Sequence, residues 1–132
     1  VAANTLPIFV KTPAHPQARV STANTARDGS GTLATIHTAG ADGSFFAGVR
    51  AMAHETTVAD VVRIFVQKAG AGNNELLKEM MIPAVTPSAS VEAASQEWYP
   101  SGGLTLGAGD VVKAATDQGK TYTVSLENGG DY

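Results

Sequence analysis

Residues 104–132 read LTLGAGDVVKAATDQGKTYTVSLENGGDY. Three short runs, LTL, VVKAAT and YTVSL, alternate apolar with small or polar residues, and the clusters GAGD and DQGK separate them. A side-chain period of two belongs to a strand with one buried face, and Gly, Asp and Asn between such runs make tight turns. Tyr122, Val124 and Leu126 fall on one face and Thr121, Thr123 and Ser125 on the other, which specifies a register. The closing GGDY reads as a polar tail.

The same grammar extends toward the N-terminus. TLATIHT (32–38) lies between the turn clusters RDGSG and AGADGS. Residues 45–53 put Phe45, Ala47, Val49 and Ala51 on one face and Phe46, Gly48, Arg50 and Met52 on the other. VVRIFVQ (61–67) is rich in β-branched and aromatic residues, with Val62, Ile64 and Val66 facing one way. NELLKEMMI (74–82) is made of good helix formers, but it is short and hemmed in by Gly72 and Pro83. An isolated helix of that length is marginal, so a strand is expected. PAVTPSAS (83–90) reads as a loop and residues 91–98 as a further strand ending at Trp98. Eight or nine strands with frequent turns predict an all-β chain, an antiparallel β-sandwich of jelly-roll type over residues 21–132.

Residues 1–20 differ. Pro7, Pro13 and Pro16 punctuate the apolar Leu6, Ile8, Phe9 and Val10, a composition suited to extended chain rather than a central strand. An N-terminal arm over residues 1–20 and a loosely packed edge strand both fit. An apolar arm needs a covering surface, so Leu6, Ile8, Phe9 and Val10 are the candidate partner-binding residues.

Bulk composition narrows the function classes. A chain of 132 residues is one domain in size, able to bury about two thirds of its unfolded surface. Its net charge of -3, with basic residues scattered, argues against nucleic acid as a partner. No run approaches the roughly 18 apolar residues needed to cross a bilayer, so no membrane partner is expected. The N-terminus lacks a basic n-region and does not read as a signal peptide. With no cysteine there is neither a disulfide framework nor a thiolate metal site. Only 16% of residues are charged, which leaves a surface of small, weakly polar residues suited to close protein contact.

Templates for chemistry fail one after another. His15, His37 and His54 lack the spacing that puts two ligands on one helix or strand face, so no metal is expected. No G-x-S-x-G turn announces a nucleophile; GSG (29–31) and DGS (42–44) are turn chemistry. RDGSGTLATI supplies one carboxylate where a calcium loop needs several. The runs AGAGNN and LGAGD lack the Lys and Ser/Thr of a phosphate loop, so no cofactor is implied. Glu75 and Glu79 read as solvated surface. Trp98 and Tyr99 form the single aromatic pair that could serve as a platform for a sugar ring, with core or interface packing as the plainer role.

TANTARDGSGTLATIHTAGADGS (22–44), VVRIFVQ (61–67), KEMMIPAVTPSAS (78–90) and residues 104–132, taken in order, resemble a family of small virion structural proteins of tailed bacteriophages. The resemblance covers roughly residues 22–132. It rests on a Gly-rich turn after an N-T-x-x-D-G-like start, a V-R-x-F strand at mid-chain, and an L-x-x-G-D element ahead of a G-G-D-Y-like end. It implies a β-sandwich on the outer surface of the capsid, a non-enzymatic cement or decoration protein that bridges major capsid protein subunits, often as a homotrimer. Alternatives are a tail, neck or fibre component of the virion and a carbohydrate-binding β-sandwich.

Overall fold

The computed structural model describes residues 9–132. All regular structure among them is strand. In chain order these are β1 (Thr12–Ala14), β2 (Gln17–Val20), β3 (Ala34–Thr38), β4 (Ser44–Ala53), β5 (Asp60–Gln67), β6 (Glu75–Ile82), β7 (Ser95–Trp98), β8 (Leu104–Leu106), β9 (Val111–Thr116) and β10 (Tyr122–Asp131). They form two antiparallel sheets, as a β-sandwich requires. Sheet 1 has the order β1-β10-β4-β7, with β2 also on β10 and β8 also on β4; sheet 2 has the order β3-β9-β5-β6.

The inner faces carry the expected alternation. Tyr122, Val124 and Leu126 on β10 stand opposite Ala53, Ala51 and Val49 on β4. They meet Val62 and Ile64 of β5, Val112 and Ala114 of β9, and Met80 and Ile82 of β6 in one buried cluster. Each large side chain so buried contributes about 1.5–3 kcal/mol. Within residues 74–82, Glu75–Ile82 form a strand, as expected, because Met80 and Ile82 supply the inner face and β5 supplies the ladder. Tertiary pairing overrides a weak helical propensity there.

Three readings are corrected. GGDY is no polar tail: Gly129–Asp131 continue β10 and pair with both β1 and residues 44–46 of β4. The strand expected over residues 91–98 covers only Ser95–Trp98, and Val91 makes a single bridge to Ser88. Phe45 and Phe46 also exchange roles. Phe46 is fully buried with Val49, Ala51 and Ala53, while Phe45 turns to the outer face. The cause lies across the ladder, where Asn128 adopts the left-handed conformation (φ 56°). Side-chain alternation therefore slips by one at the Ala47–Asn128 position without a shift of register. Gly129 makes the slip possible, since a Cβ there would collide with the Phe45 carbonyl oxygen.

Of residues 1–20, the stretch read as arm or edge strand, residues 12–14 and 17–20 lie extended along β10 as edge strands of sheet 1. Leu6 and Ile8 lie outside the described residues.

Most buried polar groups are closed into networks; the Asn74 side-chain oxygen is buried without a partner. Asp60 accepts the hydroxyls of Thr116 and Tyr122 on Oδ2, each at 2.8 Å, and the N–H groups of Val61 and Gln118 on Oδ1. Burial first, and then the Asp60 carboxylate, push the Tyr122 phenol well above its usual pKa. On the outer face of sheet 2, Arg63 bonds Glu79 and Asp117, each at 3.0 Å, and the Asn24 carbonyl at 3.2 Å. The segment from Asn24 to Asn74's partner Gly29 is thereby strapped across that face, next to buried Phe65 and Ala115.

The slip in β10 makes a paired prediction. Gly129→Ala should destabilise the fold by at least about 2 kcal/mol, since the new methyl meets backbone rather than a side chain that can move. Asn128→Gly should stay within about 1 kcal/mol of the parent, because glycine adopts the left-handed conformation without the Cβ penalty. Urea titration of both variants checks this, and a tolerated Gly129→Ala would show that the close approach is not needed.

Candidate functional site

One polar cluster contains the residue types of a catalytic triad, and its geometry is not that of one. His37 Nε2 lies 3.1 Å from Ser44 Oγ and 3.1 Å from Asp131 Oδ1, while the Ser44 hydroxyl donates directly to the same Asp131 oxygen. A relay needs the acid on one ring nitrogen and the nucleophile on the other. Here both sit on one nitrogen, and Ser44 has no exposed surface. His15 pairs with Glu127 at 3.3 Å and His54 with Thr123, so the three histidines stand apart. Among the described residues, no group of three His, Asp or Glu side chains could hold a metal ion.

The outer face of sheet 1 is the surface with unfinished contacts. Across its middle run the ion pairs of Arg50, to Glu97 at 3.2 Å and to Glu127 at 3.6 Å, with His15 Nε2 lying 3.3 Å from Glu127. Arg50 and Glu97 are each about half exposed, and ion pairs of that kind are worth ~0–1 kcal/mol. Arg50 thus serves both carboxylates of this stretch.

At the end of the face where β1 and β10 meet, the chemistry changes. Phe9, Val10 and Pro13 form one wall of an open cleft of about 480 Å³, and Phe45, Tyr132 and the Asn128–Gly129 backbone form the rest. A second cleft, toward His15 and Glu127, shares Pro13, Asn128 and Gly129 with it. Phe9 is 78% exposed, the most exposed large apolar side chain of the described chain. Two of the four candidate anchors, Phe9 and Val10, are thus brought to one apolar cleft. The other cleft residues had weaker signals. Unbroken alternation places Phe45 on the inner face, and Tyr132 stands 87 positions further along the chain. The sequence NGG within a strand pattern was the available mark of an irregularity.

Trp98 and Tyr99 do not share a face. Trp98 packs against the core beneath the Lys78 ammonium, 5.8 Å from the ring centroid, whereas the Tyr99 ring covers Gly48 on the outer face. Comparison of the chain with protein-family models and with curated proteins finds no match.

These placements separate surface from core. Phe9→Ser should change unfolding free energy by less than about 0.5 kcal/mol, as expected for an exposed side chain. Trp98→Ala should cost about 2 kcal/mol or more through lost packing. Denaturant unfolding reads both, and an unaffected midpoint for Trp98→Ala would contradict its packing role.

Proposed function

We propose that this chain is a non-enzymatic virion protein of a tailed bacteriophage, a cement or decoration protein on the outer capsid surface that bridges major capsid protein subunits. The observation that carries the reading is the apolar cleft with Phe9 exposed at its rim, on a sandwich whose buried charged side chains, Asp60, Arg63 and Asp110, are each bonded within the chain. An apolar site of that kind on an otherwise weakly charged surface favours protein contact over a small polar substrate. The family resemblance supplies the setting, the virion, and the partner, the major capsid protein.

The N-terminal segment and the cleft act as the attachment point, with Phe9 and Val10 as anchors. Assembly as a homotrimer would let weak individual contacts add into firm attachment, because the second and third contacts form at high effective concentration. A shell protein needs that economy, since each contact is repeated over the lattice.

Particles assembled with Phe9→Ser/Val10→Ser protein test the reading. Occupancy on the shell should fall at least tenfold (about 1.4 kcal/mol per contact set) while the purified variant keeps the parent unfolding midpoint. Full occupancy by the variant would overturn the anchor assignment. A copy number of a handful at one vertex, read from particle density, would instead identify a tail or neck part.

A further inference from the structure

One carboxylate holds the end of β10 from three directions. Asp131 Oδ1 accepts from the Ser44 hydroxyl on β4, from His37 Nε2 on β3 at 3.1 Å, and from the Gly40 N–H at 3.4 Å. Since β4 and β10 belong to sheet 1 and β3 to sheet 2, the cluster ties the two sheets together at this end. The His37 ring also packs edge-on against Phe46, with centroids 5.0 Å apart.

The same residue holds the walls of the apolar cleft. The Asp131 carbonyl accepts from the Lys11 N–H at 3.0 Å, and the next residue, Tyr132, donates its N–H to the Gly43 carbonyl at 3.1 Å. Val10 adjoins Lys11, Phe45 adjoins Ser44, and Tyr132 adjoins Asp131. Each of these cleft walls is therefore one residue from a point that the cluster fixes.

We infer that His37, Ser44 and Asp131 form a latch that sets the shape of the cleft and opens when Asp131 is protonated. The corollary, that attachment through the cleft is acid-labile, rests on the docking role proposed above; the latch itself does not.

The direction follows from the surroundings. The Ser44 hydrogen bond lowers the Asp131 pKa most, burial opposes it, and His37 and the Gly40 N–H lower it further. His37 is the charged or titratable side chain that acts on it, while Ser44, Gly40 and the Lys11 main chain contribute dipoles. A carboxyl whose folded pKa is depressed stabilises the fold fully above its unfolded pKa of about 3.9, and that contribution is lost as pH falls through the folded value. Protonation also places an O–H among groups that already donate to the carboxylate.

Amide hydrogen exchange on the full chain, corrected for the intrinsic pH dependence, tests the latch without any partner. Between about pH 5 and pH 2, residues 9–14 and 129–132 should lose protection, by up to about tenfold per pH unit below the unfolded pKa. Residues 62–66 and 111–116 should stay protected. Asp131→Asn should exchange fast at these ends already at neutral pH, with no acid step left. Ser44→Ala, which keeps the carboxyl, should move the step to higher pH and serves if Asp131→Asn does not fold. An unmoved step in Ser44→Ala, an acid step retained in Asp131→Asn, or simultaneous loss of protection in both sheets would overturn the latch. Particles that keep their full complement of protein at a pH where the ends are open would overturn the docking reading and leave the latch standing.

Discussion

Sheet 1 depends on β10 changing face halfway along its length. The strand pairs with β4 on one side and with β1 and β2 on the other, and it shares with β4 the largest number of ladder partners in the sheet, three each. Over residues 122–126 it turns Tyr122, Val124 and Leu126 into the core, and beyond Asn128 the opposite parity faces inward. Without that slip, Phe46 would face solvent and Asp131 would miss His37. With it, Phe46 closes the end of the core, Asp131 reaches across to sheet 2, and Phe45 is left outside. The exposed cleft and the cluster around Asp131 are two products of one irregular backbone position.

Polar chemistry inside the sandwich follows the same economy of position. Asp60, Arg63 and Asp131 are each a charge at or near a sheet surface, and each collects partners from segments far apart in the chain. A buried charge without partners is costly, and a fully bonded one fixes which strands can meet. Asp60 joins the start of β5 to the end of β9 and the start of β10, while Arg63 joins β5 to the 24–29 strap and to β6. These pairings act as keys for a topology in which successive strands mostly lie in different sheets.

That topology explains what could be read in advance. Alternation in TLATIHT, VVRIFVQ and YTVSL is a local property, and it announced strands β3, β5 and β10 and most of the core. The strand at Glu75–Ile82 was legible only through its neighbours, because its own residues favour helix. Strand order was not legible at all: apart from β5 with β6, ladder partners are distant in sequence, and period-two alternation carries no address. The Phe45/Phe46 assignment failed for a related reason. Counting by two assumes an unbroken pleat, and the break is imposed from across the ladder by Asn128. Of the candidate anchors, Phe9 and Val10 were identifiable as apolar residues among prolines, but the cleft beside them depends on three other segments.

The same distinction bears on the Ser, His and Asp cluster. Residue types alone would suggest a nucleophile, since the set is that of a hydrolase. Geometry assigns it otherwise: the Ser44 hydroxyl is committed to Asp131, and both share one nitrogen of His37. With Nε2–H donated to Asp131, that nitrogen has no lone pair left to take a proton from Ser44, and an alkoxide there would stand within hydrogen-bond distance of the carboxylate. That arrangement raises the barrier to ionising Ser44 instead of lowering it. The three groups serve best in their resting protonation states, where every donor finds the same acceptor and two sheets are held at a fixed separation.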